Sequence, residues 1–467
     1  MKITFHGAAK TVTGSKHLVK LNNQKRILLD CGMFQGLGKD TNTLNRDFGF
    51  DPKTIDHLVL SHAHVDHSGL IPRLVKLGFE GNVYTSSATA DLCEIMLADS
   101  AHILKADARY VNKIKEKQGR PFLEPLYNIE DVEKALSQFK VVDFDKEIEI
   151  ADDIRLIMTD NGHILGSSAI FLDVNENGLN TKLSFSGDIG RYKTQLLKDP
   201  KSFPQSDIII CESTYGDRLH DNVENAGQDV LDAIIDTCVK KKGRLIIPAF
   251  SLGRTQEIVY TLNKLNLFGI LPNVKIYVDS PLSVNATNIV RRHKHLLNQK
   301  VQDFIETRSD PFGFDQLYYI KSKEESMALN AKREPCVIIA ASGMAEAGRV
   351  KHHIKYALGD KRNTILLVGY AEPLSLGGRL RNGASEVTIW GDPYIVKAEI
   401  RVVESYSAHG DYKEMLKYLS CQEARKVKEM ILVHGEPEPM LAWKEHLHGR
   451  GFSNIHIPEM HETLQFI

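Results

Sequence analysis

Residues 58–72, LVLSHAHVDHSGLIP, gather His62, His64, Asp66 and His67 into six consecutive positions behind an apolar run. HLVLS predicts a β-strand, and Leu70, Leu74 and Leu77, spaced i, i+4, i+7 before Gly78, predict a helix from near Leu70. The cluster is therefore expected on the turn between them. Spacing i, i+2, i+4, i+5 cannot occupy one face of a helix, but on a turn it can aim two side chains at one point and two at a neighbouring point. Imidazoles with a carboxylate among them suit a catalytic divalent-metal centre, zinc foremost. The competing reading is a His-rich surface turn in a chain with 19 histidines.

Two adjacent metal positions need more than four ligands, and candidates stand at other strand ends. IRLIMTDNGHILGSSAIFLDV holds His163 between apolar strands, KLSFSGDIGR ends a strand at Asp188, MILVHGE ends one at His434, and RILLDCG ends one at Asp30. Singly, each is more simply a turn-forming aspartate or a satisfied histidine. Together they all close apolar runs, and strand ends of one sheet share an edge where sites form.

At 467 residues the chain is too long for one ordinary core, so two or more domains are expected. KITFHG, HLVKL, RILLDCG and HLVLS, in the first 60 residues, are short strands joined by turns, as in an antiparallel or mixed sheet. From about Leu245, RLIIPAF, KIYVDS, CVIIAAS, TILLVGY and EVTIW are near-continuous apolar strands, the pattern of a parallel sheet covered on both faces. After about Ala398 the shorter style returns in EIRVVE and MILVHG, so an α/β domain inserted into another is expected. The 59 basic and 60 acidic residues exclude a strong whole-molecule field, so a polyanionic partner would need a local basic patch. The six cysteines form no Cys-x-x-Cys pair, and MKITFHGAAKTVTGS lacks an apolar signal core. No segment approaches the roughly 18 apolar residues of a membrane span. A soluble, cytoplasmic protein without a membrane partner is expected.

The series Asp30, HAHVDH, His163, Asp188 resembles the metallo-β-lactamase fold hydrolases. CESTYGDR with Glu212, SAHGD with His409 and LVHGE with His434 resemble the three further motifs of the β-CASP group. PAFSLGRTQEI, YVDSPLSVNAT and ASGMAEAGRVKHHIKYAL resemble that group's inserted domain, and GAAKTVTGS is similar to the subgroup containing the endonuclease subunit of the cleavage and polyadenylation specificity factor and its bacterial and archaeal relatives. The resemblance covers essentially the whole chain. It implies an α/β protein in which a metallo-β-lactamase αββα sandwich, residues 1–214 and 398–467, is interrupted by a β-CASP domain with a mainly parallel sheet at 215–397.

The resemblance also implies two Zn²⁺ per chain. His62, His64 and His163 would hold one, Asp66, His67 and His434 the other, with Asp188 bridging and Asp30 orienting a ligand from behind. The implied reaction is hydrolysis of RNA phosphodiester bonds by a metal-bridging hydroxide, with His409 as general acid, Glu212 holding it and Asp66 also among the catalytic groups. His434 favours RNA, because the DNA-repair branch usually carries valine there. Internal cutting of single-stranded RNA is expected. The alternatives are an exoribonuclease, a small-ester or thioester metallo-hydrolase, which has no need of the insertion, and an inactive RNA-binding scaffold, which has no need of all seven ligands. A homodimer is left open.

AFSLGRT and AASGMAEAGR each lead from an apolar strand through a Ser/Gly turn towards a helix, a geometry that offers backbone N–H groups to phosphate. Ser251, Arg254, Ser342, Gly343, Arg349 and Arg379 are the expected substrate contacts, while RVKHHIK and VRRHKH are either local RNA-binding charge or an ordinary solvated surface. One departure stands out. Close relatives typically read Gly-Tyr-Gln-Ala-x-Gly-Thr-x-Gly where this chain has GYAEPLSLGGRL, so Glu372 to Ser375 could repel a phosphate or reshape the cleft. With 7% aromatic residues and no obvious stacking array, sequence-specific base reading is not expected.

Overall fold

Alternation of buried side chains along short strands builds the first of two units, Met1–Tyr192 with Pro200–Leu219 and His409–Ile467. The computed structural model describes every residue except 39, 177, 221–225, 309, 370, 404 and 467. One seven-stranded sheet runs in the order Thr463–Gln465, Lys2–Phe5, His17–Lys20, Arg26–Leu29, His57–Val59, Asn82–Thr85, Phe139–Val141. The other runs Ile455–His456, Glu429–Val433, Ile208–Glu212, Leu179–Phe185, Ser168–Glu176, Ile154–Asp160, Ile148–Ala151. In the second sheet Ile208, Ile210, Ile431 and Val433 share a core with Ile27, Leu29 and Val59 of the first. Their neighbours Ile209, Cys211, Met430 and Leu432 turn the other way, onto Met415 and Trp443 of helices Tyr412–Leu419 and Pro437–His448. This period of two gives two facing sheets with helices outside, the expected sandwich. Each fully buried Leu or Ile contributes about 1.5–3 kcal/mol, so the strand ends rest on a rigid base.

Strand direction decides where chemistry collects. Arg26–Leu29 and His57–Val59 pair in parallel, as do Leu179–Phe185, Ile208–Glu212 and Glu429–Val433. Parallel neighbours end on the same edge, so the residues at or just past their ends, Asp30 and His62 in one sheet and Asp188, Glu212 and His434 in the other, are brought to shared edges.

The second unit comprises Lys193–Asp199 and His220–Ala408. Its six-stranded sheet, in the order Leu317–Tyr319, Lys275–Val278, Cys336–Ala340, Arg244–Pro248, Thr364–Leu367, Glu399–Val402, is parallel throughout. Two expectations about this unit need correction. EVTIW does not join the parallel sheet; Glu386–Ile389 pairs antiparallel with Asp392–Ile395, and only Val387 and Ile389 are buried, the one-sided pattern of a hairpin. EIRVVE, assigned from sequence to the outer domain, supplies the edge strand Glu399–Val402, so this unit runs past residue 397 to Ala408. An edge strand is covered on fewer sides, and its mixed composition imitated the outer domain's style. Among the described residues, no helix is long and apolar enough to cross a membrane.

Candidate metal centre

The His/Asp cluster begins three residues past strand His57–Val59. His64 is the N-cap of a one-turn helix, Val65–Ser68, so Asp66 and His67 lie in that turn, and helix Ile71–Lys76 follows as the leucine spacing indicated. The turn is clamped to its neighbours. Ser15 N–H donates to the Asp66 carbonyl at 2.8 Å, Cys31 N–H to that of His67 at 2.7 Å and Met33 N–H to that of Val65 at 2.9 Å. Such close approach requires Gly32, where a Cβ would stand 1.5 Å from the Asp66 carbonyl oxygen. Fully buried Lys16 donates to the Gly14 and Gly32 carbonyls at 2.8 and 2.9 Å, and burial drives its pKa down to about 7.

Asp188 stands between two groups of ligand atoms. Its Oδ2 is 3.4 Å from His62 Nε2 and 3.5 Å from His163 Nε2, and its Oδ1 is 3.3 Å from His67 Nε2 and 3.6 Å from His434 Nε2. His64 Nδ1 completes the first group, 3.1 Å from His62 Nε2 and 3.2 Å from His163 Nε2. Asp66 completes the second, with Oδ2 3.5 Å from His434 Nε2, which lies 3.2 Å from His67 Nε2. Within each group all ligand atoms lie within 4.8 Å of one another. The seven residues expected as ligands are thus brought together in the expected division.

The donor set fits divalent cations. Ligands about 2.0–2.1 Å from a tetrahedral ion stand about 3.3 Å apart, close to the 3.1–3.2 Å between the facing imidazole nitrogens. Among the described residues no Lys or Arg pairs with Asp30, Asp66 or Asp188, and Asp188 Oδ1 is buried without a hydrogen-bond partner. A buried carboxylate such as Asp188, whose charged partners are all imidazoles, calls for positive charge. Burial lowers His62 to about 3 and His64 to about 4, so both are neutral at pH 7, the metal-binding form. His67 differs. Burial opposes its charged form, but Asp188 and Asp30 outweigh that and hold positive charge there.

Asp30 supports the cluster from behind, its Oδ2 2.6 Å from His67 Nδ1 while Ser61 N–H and Oγ donate to it at 2.7 and 2.9 Å. Asp30 and His434 have φ of +58° and +52°, a strained backbone that turns them off their strand ends.

His409 lies beside Asp188, Nε2 to Oδ2 4.0 Å, and its Nδ1 is 3.2 and 3.1 Å from the two Glu212 oxygens. It does not cap the following helix; Asp411 does, accepting from Lys413 and Glu414 N–H in a capping box. Burial disfavours a charged His409, but Glu212 and then Asp188 raise it to about 9. At 17% side-chain exposure it is more open than the histidine ligands His62, His67, His163 and His434, at 0–5%.

Sequence reasoning missed several supports. Ser61 holds Asp30, Ser15 Oγ donates to it at 3.4 Å, and Thr214 Oγ1 lies 3.0 Å from His434 Nδ1. The available signal for Thr214 was its place two residues past Glu212, at the same strand end.

The expected substrate contacts, all in the second unit, fare unevenly. Arg254 is 6% exposed, ion-paired with Glu257 one helical turn on and set over Tyr406 at 5.4 Å, so its guanidinium is already engaged. Arg349 pairs with buried Asp279 at 2.6 Å and donates to the Lys321 carbonyl at 2.8 Å. Both guanidinium groups are thus held by carboxylates. Ser251 Oγ is 3.3 Å from Ser280 Oγ, Ser342 Oγ is 3.3 Å from the Ala347 carbonyl, and Gly343 packs on Phe250. Arg379 Nε is buried with no hydrogen-bond partner among the described residues. In the departure segment, Glu372 Oε2 accepts Leu374 N–H at 2.9 Å and Ser375 caps helix Leu376–Arg381, so these residues build a helix start.

Two His/Asp groups joined by one carboxylate at the edges of two facing sheets define a metal-dependent hydrolase. Residues 14–160 match the metallo-beta-lactamase superfamily, 255–380 the Beta-Casp domain and 393–458 the Zn-dependent metallo-hydrolase RNA specificity domain. Ribonuclease TTHA0252 of Thermus thermophilus is 34% identical over 451 residues, 97% of each chain. An RNase J-like protein of Methanocaldococcus jannaschii is 32% identical over 93% of this chain and 92% of its own. Transcription termination factor FttA of Methanosarcina mazei is 30% identical over 93% of this chain and 67% of its own. A crystal structure of a protein of unknown function from Enterococcus faecalis shares the fold, with a TM-score of 0.51 at 13% identity over 99% of each chain. The chain belongs to the β-CASP family of metallo-β-lactamase-fold ribonucleases, metal-dependent hydrolases that act on RNA.

Proposed function

We propose that the protein is a zinc-dependent endoribonuclease acting on single-stranded RNA, with two Zn²⁺ per chain. The observation that carries this reading is Asp188, whose two oxygens face two separate ligand groups. His62, His64 and His163 would hold one ion and Asp66, His67 and His434 the other, with Asp188 between the two groups. A bound zinc pair supplies Lewis acidity, which brings the pKa of water from 15.7 to about 7 and offsets charge on the phosphodiester oxygens. The chain does the rest. Asp30 fixes the ring of His67, Thr214 that of His434, and the clamp through Gly32 and Lys16 keeps the cluster turn in place.

The departing alkoxide needs a proton, and His409 supplies it from Nε2 while Glu212 holds Nδ1–H and favours the charged ring. Glu212, which belongs to neither ligand group, is the carboxylate that serves His409. Ser251, Ser342, Gly343 and Arg379 are the phosphate contacts on the second unit. His434 favours RNA over DNA, and six unpaired cysteines suit a reducing cytoplasm.

RNAs labelled separately at each terminus test the reading. Wild type is expected to release internal fragments from both labels, and His64→Ala to release none. One-nucleotide products from a single end would make the enzyme an exonuclease, and equal cutting by His64→Ala would refute the metal mechanism.

A further inference from the structure

The hairpin that sequence reading assigned to the parallel sheet carries an unusual turn. Ile389 pairs with Asp392, leaving a two-residue loop of Trp390 and Gly391, with φ of +53° and +93°. Such loops need two residues of positive φ and favour Asn, Asp or Gly at the first. Here that place holds a tryptophan, in a backbone conformation disfavoured for any residue with a Cβ, and half of it, 51%, stands in solvent. Core packing does not explain it.

Its surroundings are basic. Helix Val350–Ala357 buries Val350, His353, Ile354 and Ala357 and turns Lys351, His352 and Lys355 towards the hairpin. Lys351 and Lys355, at i and i+4, each place Nζ 5.7 Å from the Trp390 ring centre, and the His352 ring lies 4.4 Å from it. Lys355 also lies 5.3 Å from the Tyr394 ring. Lys323 adds charge beside His352, and Asp392 at the foot of the turn is the acidic neighbour of Lys355. This is the RVKHHIK segment, whose charge could be ordinary solvation or RNA contact. An exposed aromatic ring among flexible cations is what single-stranded nucleic acid uses, base on ring and phosphate on ammonium.

We propose that the Trp390 hairpin and the basic face of helix Val350–Ala357 form a docking site for single-stranded RNA, one nucleobase stacking on Trp390 and flanking phosphates meeting Lys351 and Lys355. The site rests on the RNA reading above but takes no part in bond cleavage; it holds a long strand and leaves a short one unaffected.

The chain's two tryptophans make the test direct, because Trp443 is fully buried and Trp390 is not. In the Asp188→Asn background, where a strand stays intact, poly(U) is expected to quench Trp390 emission and shield it from acrylamide. Trp390→Asn, which suits the turn, should leave only an unresponsive Trp443 signal and weaken poly(U) binding about tenfold. Lys351→Gln with Lys355→Gln should reduce the salt dependence of binding by about 0.7 in log–log slope per lost phosphate contact. With Asp188 intact, Trp390→Asn should hydrolyse a short RNA at the wild-type rate. Poly(U) binding that leaves Trp390 emission unchanged would overturn the proposal. So would shielding of Trp390 without RNA that tracks dimerisation in sedimentation, which would assign the hairpin to self-association. Failure of wild type to cleave any RNA would instead count against the catalytic reading, since quenching and affinity are measured without cleavage.

Discussion

Asp188→Asn is expected to lower kcat/KM for RNA by about 10³ or more while the protein stays folded. The carboxylate is 2% exposed and divides its oxygens between the two groups, Oδ2 towards His62 and His163 and Oδ1 towards His67 and His434. Asparagine keeps one acceptor and points an N–H₂ at the other group, so one metal position loses a ligand and faces a donor instead. Metal analysis should show a loss of bound zinc in step with the loss of rate, and circular dichroism an unchanged fold. Undiminished hydrolysis at normal zinc content would remove Asp188 from the centre of the account.

The second large effect concerns the proton. His409→Ala should lower kcat by about 10²–10⁴ with zinc content unchanged. The readout matters because His409, Asp188 and His434 also place ligand atoms within 4.8 Å of one another. Loss of metal on this substitution would make His409 a ligand. The pH profile separates its acid role from mere positioning. A general acid works protonated, so kcat falls as pH rises through its pKa. His409 is raised from 6.5 towards about 9, first by Glu212 and then by Asp188 acting against burial. Cations on Asp188 remove part of that field, so the alkaline fall is expected between 6.5 and about 9. Glu212→Gln removes the stronger influence and should move the fall to lower pH at constant zinc content. An unmoved profile would separate Glu212 from proton transfer.

Much of the site was legible because its ligands announce themselves locally. His62, His64, Asp66 and His67 crowd one turn; Asp30, Asp188 and His434 follow apolar runs whose parallel strands deliver side chains to one edge, and His163 follows an apolar run paired antiparallel. What lay hidden depends on contacts between distant residues. Thr214 reaches a histidine 220 positions away, and Arg349 finds its acid 70 positions away, at Asp279. The partner of Arg254 was visible, since Glu257 stands three residues on. In the fold, apolar continuity located the buried parallel strands but misjudged Glu386–Ile389 and Glu399–Val402. A hairpin and an edge strand are each covered on fewer sides than a central strand, and composition records how much is covered, not by which sheet.

The central claim is that two cation positions, joined by Asp188, are together required to cut RNA. Its most direct test strips the protein with a chelator and adds zinc back, with bound metal and cleaved RNA counted in the same samples. No cleavage by the stripped protein is expected, and recovery should level off at two zinc ions per chain, one for each ligand group. Cleavage at the full rate by metal-free protein, or full recovery with a single ion, would contradict the claim.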